Sequence, residues 1–241
     1  YAKYDGPEAT ASQPNCDRAG YVRLQLLGVN HDALELSVPP GSAYDYATQV
    51  TKKAGLTFQF MDVLFESQMN SANTNQYGWK STKLRNEVLS DDGAIFKALA
   101  IHDDVKTVYK FCNSMGGSYA QGKGWRNVVR VVPDRLFVPS YTETGGHFIR
   151  EDFVEGGIND FSNHEGYMYE YWEDVCGVVR NVGVNTNTGA RAKKNAAGSL
   201  SRWWLNRPYG DERSFSFIKE DGTDQHLAAI NVHGVCPTFC L

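Results

Sequence analysis

The sequence predicts a single domain that mixes β-strands with short helices, and three observations support that prediction. Apolar and polar residues alternate over residues 21–27 and 56–61, as they do in strands with one buried face. Two short stretches between residues 81 and 99 place apolar residues four positions apart, which is typical of helices with a buried stripe. The C-terminal stretch, residues 203–241, contains an aromatic strand and an Asp221-Gly222 turn, which together predict a hairpin.

The expected strands are bounded by residues that disfavour extended pairing. Gly28 and the polar residues after it should end the first strand, and residues 70–75 should form a polar Asn/Ser/Thr loop. Residues 128–132 predict a buried strand that Pro133 terminates, because proline cannot donate a ladder hydrogen bond.

Trp203 and Trp204 are neighbours in the C-terminal stretch and should point to opposite faces of one strand. At most one of them can therefore face a given side of the sheet. We expect Trp204 to pack in the core with Phe215 or Phe217.

The two short helices have recognisable starts. Ser81 is expected to cap the first and Asp91 or Asp92 the second. Their buried stripes consist of Leu84 with Val88 and of Ile95 with Leu99.

Further along, Thr142 and Glu143 predict the cap of a single helical turn that the following glycines end. Residues 146–201 show no sustained periodicity, so we expect a long irregular connection there, partly packed through its aromatic residues.

Length and composition indicate one globular domain. The chain has 241 residues, of which 41% are hydrophobic and 12% aromatic, and we expect one domain over residues 21–241. Residues 1–20 are rich in Pro, Ala and Ser, which predicts a loosely ordered lead-in or linker. Neither a methionine nor a basic and apolar leader precedes Tyr1, so we expect a mature chain or part of a larger polypeptide.

Charge and hydropathy narrow the partner classes. The net charge of -4 does not provide the excess positive charge that is typical of nucleic-acid binding. The mean hydropathy of -0.44 and the lack of a long apolar run in the sequence predict no membrane insertion. A local basic cluster is best explained as loop solvation; it comprises Arg191, Lys193, Lys194 and Arg202.

Several chemistries lack their sequence signatures. The six histidines form no zinc-binding motif, the glycines around residues 116–124 do not match a phosphate-binding loop, and a nucleophile elbow is missing. Five cysteines are expected to be mostly buried free thiols. If Cys236 and Cys240 share one strand, their α-carbons lie roughly 13 Å apart, too far to bridge.

No cofactor is therefore expected, with calcium as the one open option. Acidic side chains in the irregular region offer hard oxygen ligands, although without EF-hand spacing, and a solvated acidic loop is the preferred explanation for them. The weak calcium candidates are Asp152, Glu155, Asp160 and Glu165.

A family resemblance rests on an ordered series of blocks. Residues 55–60 (GLTFQF), 78–81 (GWKS), 134–143 (DRLFVPSYTE) and the ending 203–241 resemble the bacterial domain-of-unknown-function family 6273, over roughly residues 21 to 241. That family looks related to the C-type-lectin-like fold shared by formylglycine-generating enzymes and by variable receptor-binding proteins of diversity-generating retroelements. The resemblance implies an α+β, C-type-lectin-like domain with short helices around an irregular antiparallel sheet.

The chain departs from the family pattern at two places. Asn206-Arg207 stands where Arg-Ser is usual, and Cys236 stands where a basic or small residue is usual.

The resemblance implies no function by itself, because one fold hosts both enzymes and binders. We expect a non-enzymatic ligand-recognition domain, an adhesin or receptor-binding module of a bacterial or phage surface protein. The expected partner is a protein or glycan on a cell surface, and the expected location is extracellular, at the cell surface or on a phage particle. Two alternatives remain: a structural domain of a larger surface assembly, and a formylglycine-generating-type oxidase, which needs a close cysteine pair to bind copper(I). The expected contact face comprises Asn206, Arg207, Tyr209, Asp211, Glu212, Arg213, Gln225, His226, Asn231 and His233.

Overall fold

The computed structural model describes residues 1–6, 20–37, 49–114, 129–145, 165–176 and 187–241. Short strands dominate these ranges. They are β1 (Ala2–Lys3), β2 (Tyr21–Val22), β3 (Leu24–Val29), β4 (Ala33–Leu36), β5 (Val50–Lys53), β6 (Leu56–Phe60), β7 (Phe65–Gln68), β8 (Val108–Asn113), β9 (Val129–Asp134), β10 (Lys193–Lys194), β11 (Leu200–Ser201), β12 (Trp203–Pro208), β13 (Ser214–Ile218), β14 (Asp224–Ala228), β15 (Val232–Val235) and β16 (Thr238–Cys240).

The helices in the same ranges are short. They are the α-helices α1 (Ala94–Ala98) and α2 (Glu170–Cys176), the 3-10 helices Gly78–Ser81 and Thr188–Arg191, and the π-helix Leu84–Val88. None of these described helices is long and apolar enough to cross a membrane.

Three main sheets carry the fold. Their strand orders are β14-β13-β12-β15-β7, β5-β4-β8-β9 and β16-β6-β3, and the pairs β1-β2 and β10-β11 complete the described sheets. Nearly all of the described pairings are antiparallel, with one parallel contact between β12 and β15 at Trp203 and Gly234. The chain is therefore mostly β-sheet with a few short helices, in agreement with the broad α+β prediction.

The two adjacent tryptophans divide the core, as predicted. Trp204 is fully buried in the main cluster, with its ring centroid 6.1 Å from that of Phe217. Trp203 is also fully buried but lies in a second cluster, stacked 6.4 Å from Trp172. Neighbouring side chains on β12 point to opposite faces of the five-stranded sheet, so each face acquires its own core.

The predicted C-terminal hairpin is confirmed. Strands β13 and β14 pair from Ser214 with Ala228 to Ile218 with Asp224. In the turn, Asp221 Oδ1 accepts hydrogen bonds from the Thr223 backbone N–H (2.9 Å) and hydroxyl (2.6 Å). Gly222 adopts a φ of +80°, and an added Cβ there would lie 1.9 Å from the carbonyl oxygen of Thr188. Both the backbone conformation and the close approach therefore require glycine.

Two strand ends differ from the prediction. Strand β3 continues through Gly28 because the pairing with β6 shifts its register between Leu26 and Gly28, which accommodates one extra residue in β3. Strand β9 includes Pro133, which the sequence predicted to end it. Proline is tolerated because β9 is an edge strand and its outer side needs no ladder donor.

The predicted helix caps were wrong, although the buried stripes were right. Thr82, not Ser81, accepts the Arg85 backbone N–H at its hydroxyl (3.2 Å), and Ser81 instead donates to the carbonyl of Gln76 (2.8 Å). Helix α1 begins after Gly93 without a side-chain cap. Leu84, Ile95 and Leu99 are buried in the main cluster, and Val88 packs against it.

The region expected to be an irregular connection contains helix α2. Trp172 and Cys176, four residues apart, are its buried positions. A helix of two turns carries only one such pair, which is too short a repeat to stand out in the sequence.

The first six residues are part of the packed structure, whereas the sequence predicts a loosely ordered lead-in over residues 1–20. Strand β1 pairs with β2, and Tyr4 is fully buried against Phe60 at a centroid distance of 6.0 Å. Residues 7–19 lie outside the described residues.

Candidate functional site

The exposed connection between β12 and β13, residues 209–213, is held by a buried side chain. Asn75 is fully buried, and its amide nitrogen lies within hydrogen-bond distance of the carbonyl oxygens of Tyr209 (3.1 Å), Asp211 (2.6 Å) and Ser214 (3.0 Å). Its backbone N–H also donates to the carbonyl of Glu212 (3.0 Å). We call residues 209–213 together with His226 the Tyr209 loop. Asn75 fixes its backbone before any partner binds.

Asp211 shapes the loop from within. Its carboxylate accepts the backbone N–H groups of Arg213 (2.9 Å) and Ser214 (2.6 Å) and the Ser214 hydroxyl (2.6 Å). Burial opposes ionisation of Asp211, but these hydrogen bonds outweigh it and lower the carboxyl pKa. The Asp211 carboxylate therefore stabilises the turn and does not serve as a contact group for a partner.

Tyr209 and His226 form an aromatic plate at the surface. Their ring centroids are 3.5 Å apart and their planes differ by 5°. Tyr209 remains 41% exposed, while Glu212 and Arg213 beside it in the chain are exposed. The structure thus brings together the predicted contact residues of the loop and His226 on β14.

Three other predicted contact residues are buried. Asn206 donates its amide to the carbonyl of Val138 (2.9 Å), and the Arg207 guanidinium lies 4.9 Å from the ring centroid of Tyr141. His233 lies 4.5 Å from the Trp204 ring. They are buried because β12 and β15 are interior strands of the five-stranded sheet, whose faces are both covered. Burial also lowers the pKa of His233 to about 4.

The last two predicted contact residues lie at the sheet margin. Gln225 is exposed on the edge strand β14, opposite Phe217. Asn231 closes the β14–β15 turn by donating its amide to the carbonyl of Ala228 (3.0 Å). His226 pairs with Ser216, so Gln225 and His226 point to opposite faces.

A second polar site lies inside the molecule, around Lys110 on β8. Its side chain is 2% exposed, and its Nζ contacts Asp32 Oδ1 at 2.5 Å and also Glu143 Oε1. The same nitrogen lies 4.1 Å from the centre of the Phe137 ring. We call Lys110, Asp32, Glu143, Thr57 and Tyr169 the Lys110 cluster. It joins β8, the residue before β4, strand β6 and the residue before α2.

Asp32 is the most heavily hydrogen-bonded member of the cluster. It accepts the Thr57 hydroxyl (2.6 Å) and the Tyr169 hydroxyl (3.0 Å to Oδ2) in addition to Lys110. Burial disfavours its charge, yet the Lys110 ammonium holds the pKa of Asp32 well below its usual range. Burial likewise opposes the charge of Lys110, but both carboxylates outweigh it and raise the Lys110 pKa.

Glu143 is positioned by a capping box. The Ser140 backbone N–H donates to Glu143 Oε2 (2.8 Å), while the Glu143 backbone N–H donates to the Ser140 hydroxyl (3.1 Å). The sequence correctly predicted Glu143 in a capped turn but named Thr142 where Ser140 is the partner. Burial raises the pKa of Glu143 and outweighs the opposing effect of Lys110.

The cluster resembles a metal site only in outline. Ligand atoms of His31, Asp32 and Glu143 lie within 4.8 Å of one another. The Lys110 ammonium already contacts both carboxylates, so its positive charge occupies the position that a cation would take.

Of the weak calcium candidates, only Glu165 lies among the described residues. It is fully buried, and burial raises its pKa to about 8. Calcium prefers ionised carboxylates, so this environment does not favour it as a ligand. Asp152, Glu155 and Asp160 lie outside the described residues, and calcium binding there stays a prediction.

Three of the described cysteines, Cys112, Cys236 and Cys240, are buried free thiols, in line with the sequence prediction. Cys236 packs in the second cluster, whereas Cys240 packs in the main cluster, 3.3 Å from the Thr57 hydroxyl. Burial raises the pKa of Cys236 to about 12. Cys16 lies outside the described residues.

A surface cavity of about 330 Å³ lies beside the end of β9. On its wall, Asp134 accepts hydrogen bonds from Arg85 Nε and Trp79 Nε1, both at 2.7 Å. Burial raises the pKa of Asp134 to about 7. Arg135, also on the wall, donates to the carbonyl of Val105 (3.0 Å). These donors serve the protein's own carboxylate and carbonyls.

Sequence reasoning missed the Lys110 cluster entirely. One signal was available: Val108, Lys110 and Cys112 are two positions apart, so their side chains share one buried face of β8. A lysine on a buried face needs a buried partner. Its partners are 78 and 33 residues away, so no local pattern identifies them.

Comparison with known proteins identifies a family and no individual relative. Residues 54–241 match the family described as Domain of unknown function (DUF6273). No curated protein and no solved structure matches the chain. The matched segment contains the Tyr209 loop, Lys110 and Glu143, whereas Asp32 precedes it.

Proposed function

Because the chain belongs to the family Domain of unknown function (DUF6273), a membership that assigns no reaction, we propose a function from its surface. In this proposal the chain is a non-enzymatic ligand-recognition domain of a bacterial or phage surface protein. The Tyr209 loop is its contact surface. The domain is C-type-lectin-like, a proposal supported by the short helices around irregular antiparallel sheets.

The observation that carries this proposal is the fixed, exposed Tyr209 loop. Its backbone is held by buried Asn75 and by Asp211, so little conformational entropy remains to be lost on binding. The stacked pair of Tyr209 and His226 offers a rigid aromatic plane. Tyr and Arg are the side chains that most often dominate binding energy at protein surfaces, and Arg213 lies within the same loop.

The partner in this proposal is a protein or glycan on a cell surface. An aromatic plane flanked by Glu212 and Arg213 combines apolar contact area with charged hydrogen-bonding groups. Both sugars and protein side chains present such mixed surfaces. The proposed location is accordingly extracellular, at the cell surface or on a phage particle.

A copper-dependent oxidase of the formylglycine-generating type has less support. That chemistry needs two cysteine sulfurs on one metal ion. Cys236 and Cys240 pack in different core clusters, and burial raises the pKa of both thiols.

The proposal is tested with a binding screen against a glycan array and bacterial surface extracts, with calcium and with chelator. The variant combines Tyr209→Ala, Arg213→Ala and His226→Ala. A matched control combines Glu35→Ala and Lys52→Ala, which removes an exposed 3.2 Å ion pair on the four-stranded sheet. Binding that is lost in the first variant and kept in the control supports the Tyr209 loop.

Two other outcomes count against the proposal. Equal binding by both variants removes the Tyr209 loop as the contact surface. Failure of the unmodified domain to bind any target favours a structural domain of a larger assembly. A separate outcome concerns calcium: binding that is lost in chelator would support calcium binding by the acidic candidates in residues 152–160.

A further inference from the structure

Lys110 occupies an unusual position, since its amine contacts two carboxylates in the interior. Asp32 lies on one side and Glu143 on the other, and all three side chains are at most 3% exposed. The three residues come from distant parts of the chain and converge only in the folded state.

The side chains that surround the three residues are buried. Phe137, Tyr169 and Thr57 are fully buried, and the Phe137 ring lies 4.1 Å from the Lys110 Nζ. Burying charged groups is costly, and an ion pair recovers that cost only with excellent geometry. A neutral covalent product would remove the cost.

We propose that Lys110 and Glu143 form an intramolecular amide bond, joining Lys110 Nζ to Glu143 Cδ with release of water, and that Asp32 serves as the base. This inference goes beyond the recognition function and does not depend on it. The bond would tie β8 covalently to the capped turn that follows β9.

The hydrogen bonds distinguish the roles of the two carboxyl groups. Asp32 Oδ1 contacts the Lys110 Nζ at 2.5 Å, which places it to take a proton from that nitrogen. The ammonium holds the Asp32 pKa low, so this pKa rises as the nitrogen loses its charge. Glu143 has fewer donors, and burial raises its pKa, which favours the protonated acid that condensation requires. The Ser140 N–H on Glu143 Oε2 is placed to stabilise an oxyanion there.

The step balances without an oxidant or a co-reactant. It starts from the Lys110 ammonium, the Asp32 carboxylate and the Glu143 acid. Asp32 takes a proton from Nζ, and the nitrogen lone pair attacks Cδ while the C=O electrons move to Oε2. A second proton passes from nitrogen to the Oε1 hydroxyl, the electron pair on Oε2 re-forms the C=O bond as the Cδ–Oε1 bond breaks with its own pair on Oε1, and water leaves. The products are the amide, water and protonated Asp32, with zero net charge before and after.

Proximity lowers the barrier. Well-oriented groups within one molecule react as if at effective concentrations of about 10⁵–10⁸ M. Since the cluster is dry, the released water leaves the site and the amide remains protected from hydrolysis.

Intact-mass measurement of the denatured protein is the first test. The mass should fall short of the sequence mass by one water molecule. An unchanged mass overturns the proposal.

Tryptic mapping locates the bond. The expected product links residues 107–123, left uncleaved at the modified Lys110, to residues 136–150, which contain Glu143. A link from residues 107–123 to residues 24–52 would place the bond on Asp32 and overturn the assigned roles. A water loss that maps to an Asp-Gly pair such as Asp221-Gly222 would be a succinimide and would also overturn the proposal.

Variants separate the chemistry from folding. Asp32→Asn preserves shape but removes the base, so the linked peptide should fall by at least tenfold. Lys193→Met is the matched control, because Lys193 is also a buried lysine but donates to the carbonyls of Phe60 (3.2 Å) and Met61 (2.7 Å). It should retain the full water loss. Loss of the link in Lys193→Met with retention in Asp32→Asn contradicts the assigned roles.

Discussion

The Lys110 cluster and the Tyr209 loop both concentrate polar side chains, but in opposite environments. In the cluster, charged groups satisfy one another where water is absent, and the contacts join the three-stranded sheet to the four-stranded one. In the loop, buried Asn75 and the carboxylate of Asp211 satisfy the backbone, which leaves Tyr209, Glu212 and Arg213 facing solvent. Interior polar groups therefore hold the fold, whereas the loop's side chains are available to a partner.

The largest expected effect is on the stability of the Lys110 cluster. Replacing Lys110 with Met leaves two buried carboxylates without their cation, and removal of one partner from a buried ion pair typically costs about 3–5 kcal/mol. Urea unfolding of Lys110→Met should show that loss. Lys193→Met removes two hydrogen bonds to carbonyls and two contacts with tryptophan rings but no ion pair with a carboxylate, so it should lose less. Equal losses would contradict a special role for the cluster.

A smaller effect should follow from loosening the Tyr209 loop at its buried anchor. Asn75→Ala removes the side-chain amide that donates to the carbonyls of Tyr209, Asp211 and Ser214, of which Ser214 keeps the Tyr209 N–H as a donor, and the loss should cost about 1–3 kcal/mol. Hydrogen exchange should quicken in residues 209–214 more than in β8. Uniform quickening across the chain would show that Asn75 supports the whole fold instead of the loop.

A pH-dependent effect distinguishes His233, a predicted contact residue that is buried. Its pKa of about 4 in the folded protein lies below the usual histidine value of 6.5, so the unfolded chain binds more protons between these values. Stability should therefore fall as pH drops from 6.5 towards 4, by about 1–2 kcal/mol once solvent screening is allowed for. His233→Phe should flatten this part of the unfolding profile. An unchanged slope would place the histidine in contact with water.

The smallest effect on stability is expected at the exposed plate. Tyr209→Ala removes a ring that is 41% exposed and should change the free energy of unfolding by about 0.5 kcal/mol or less. Binding to any target found in the screen should nevertheless weaken by at least tenfold. A large stability loss with unchanged binding would reverse the comparison between the two regions.

Local patterns in the sequence determined much of the framework. The Asp221-Gly222 hairpin, the opposite faces of Trp203 and Trp204, and the buried stripe of Ile95 and Leu99 all follow from short-range periodicity and turn chemistry. These features depend on residues close in the chain, so a sequence expresses them directly. The family resemblance is confirmed over residues 54–241.

Only the tertiary structure decided which polar residues face inwards. Asn206, Arg207 and His233 are polar residues of the C-terminal strands, as a contact face requires, yet both sides of their sheet are covered. The Lys110 cluster depends on contacts across 78 and 33 residues, and Asn75 reaches the Tyr209 loop across more than 130. Burial and pairing depend on which sheets pack together, and that packing is a property of the whole chain rather than of any segment.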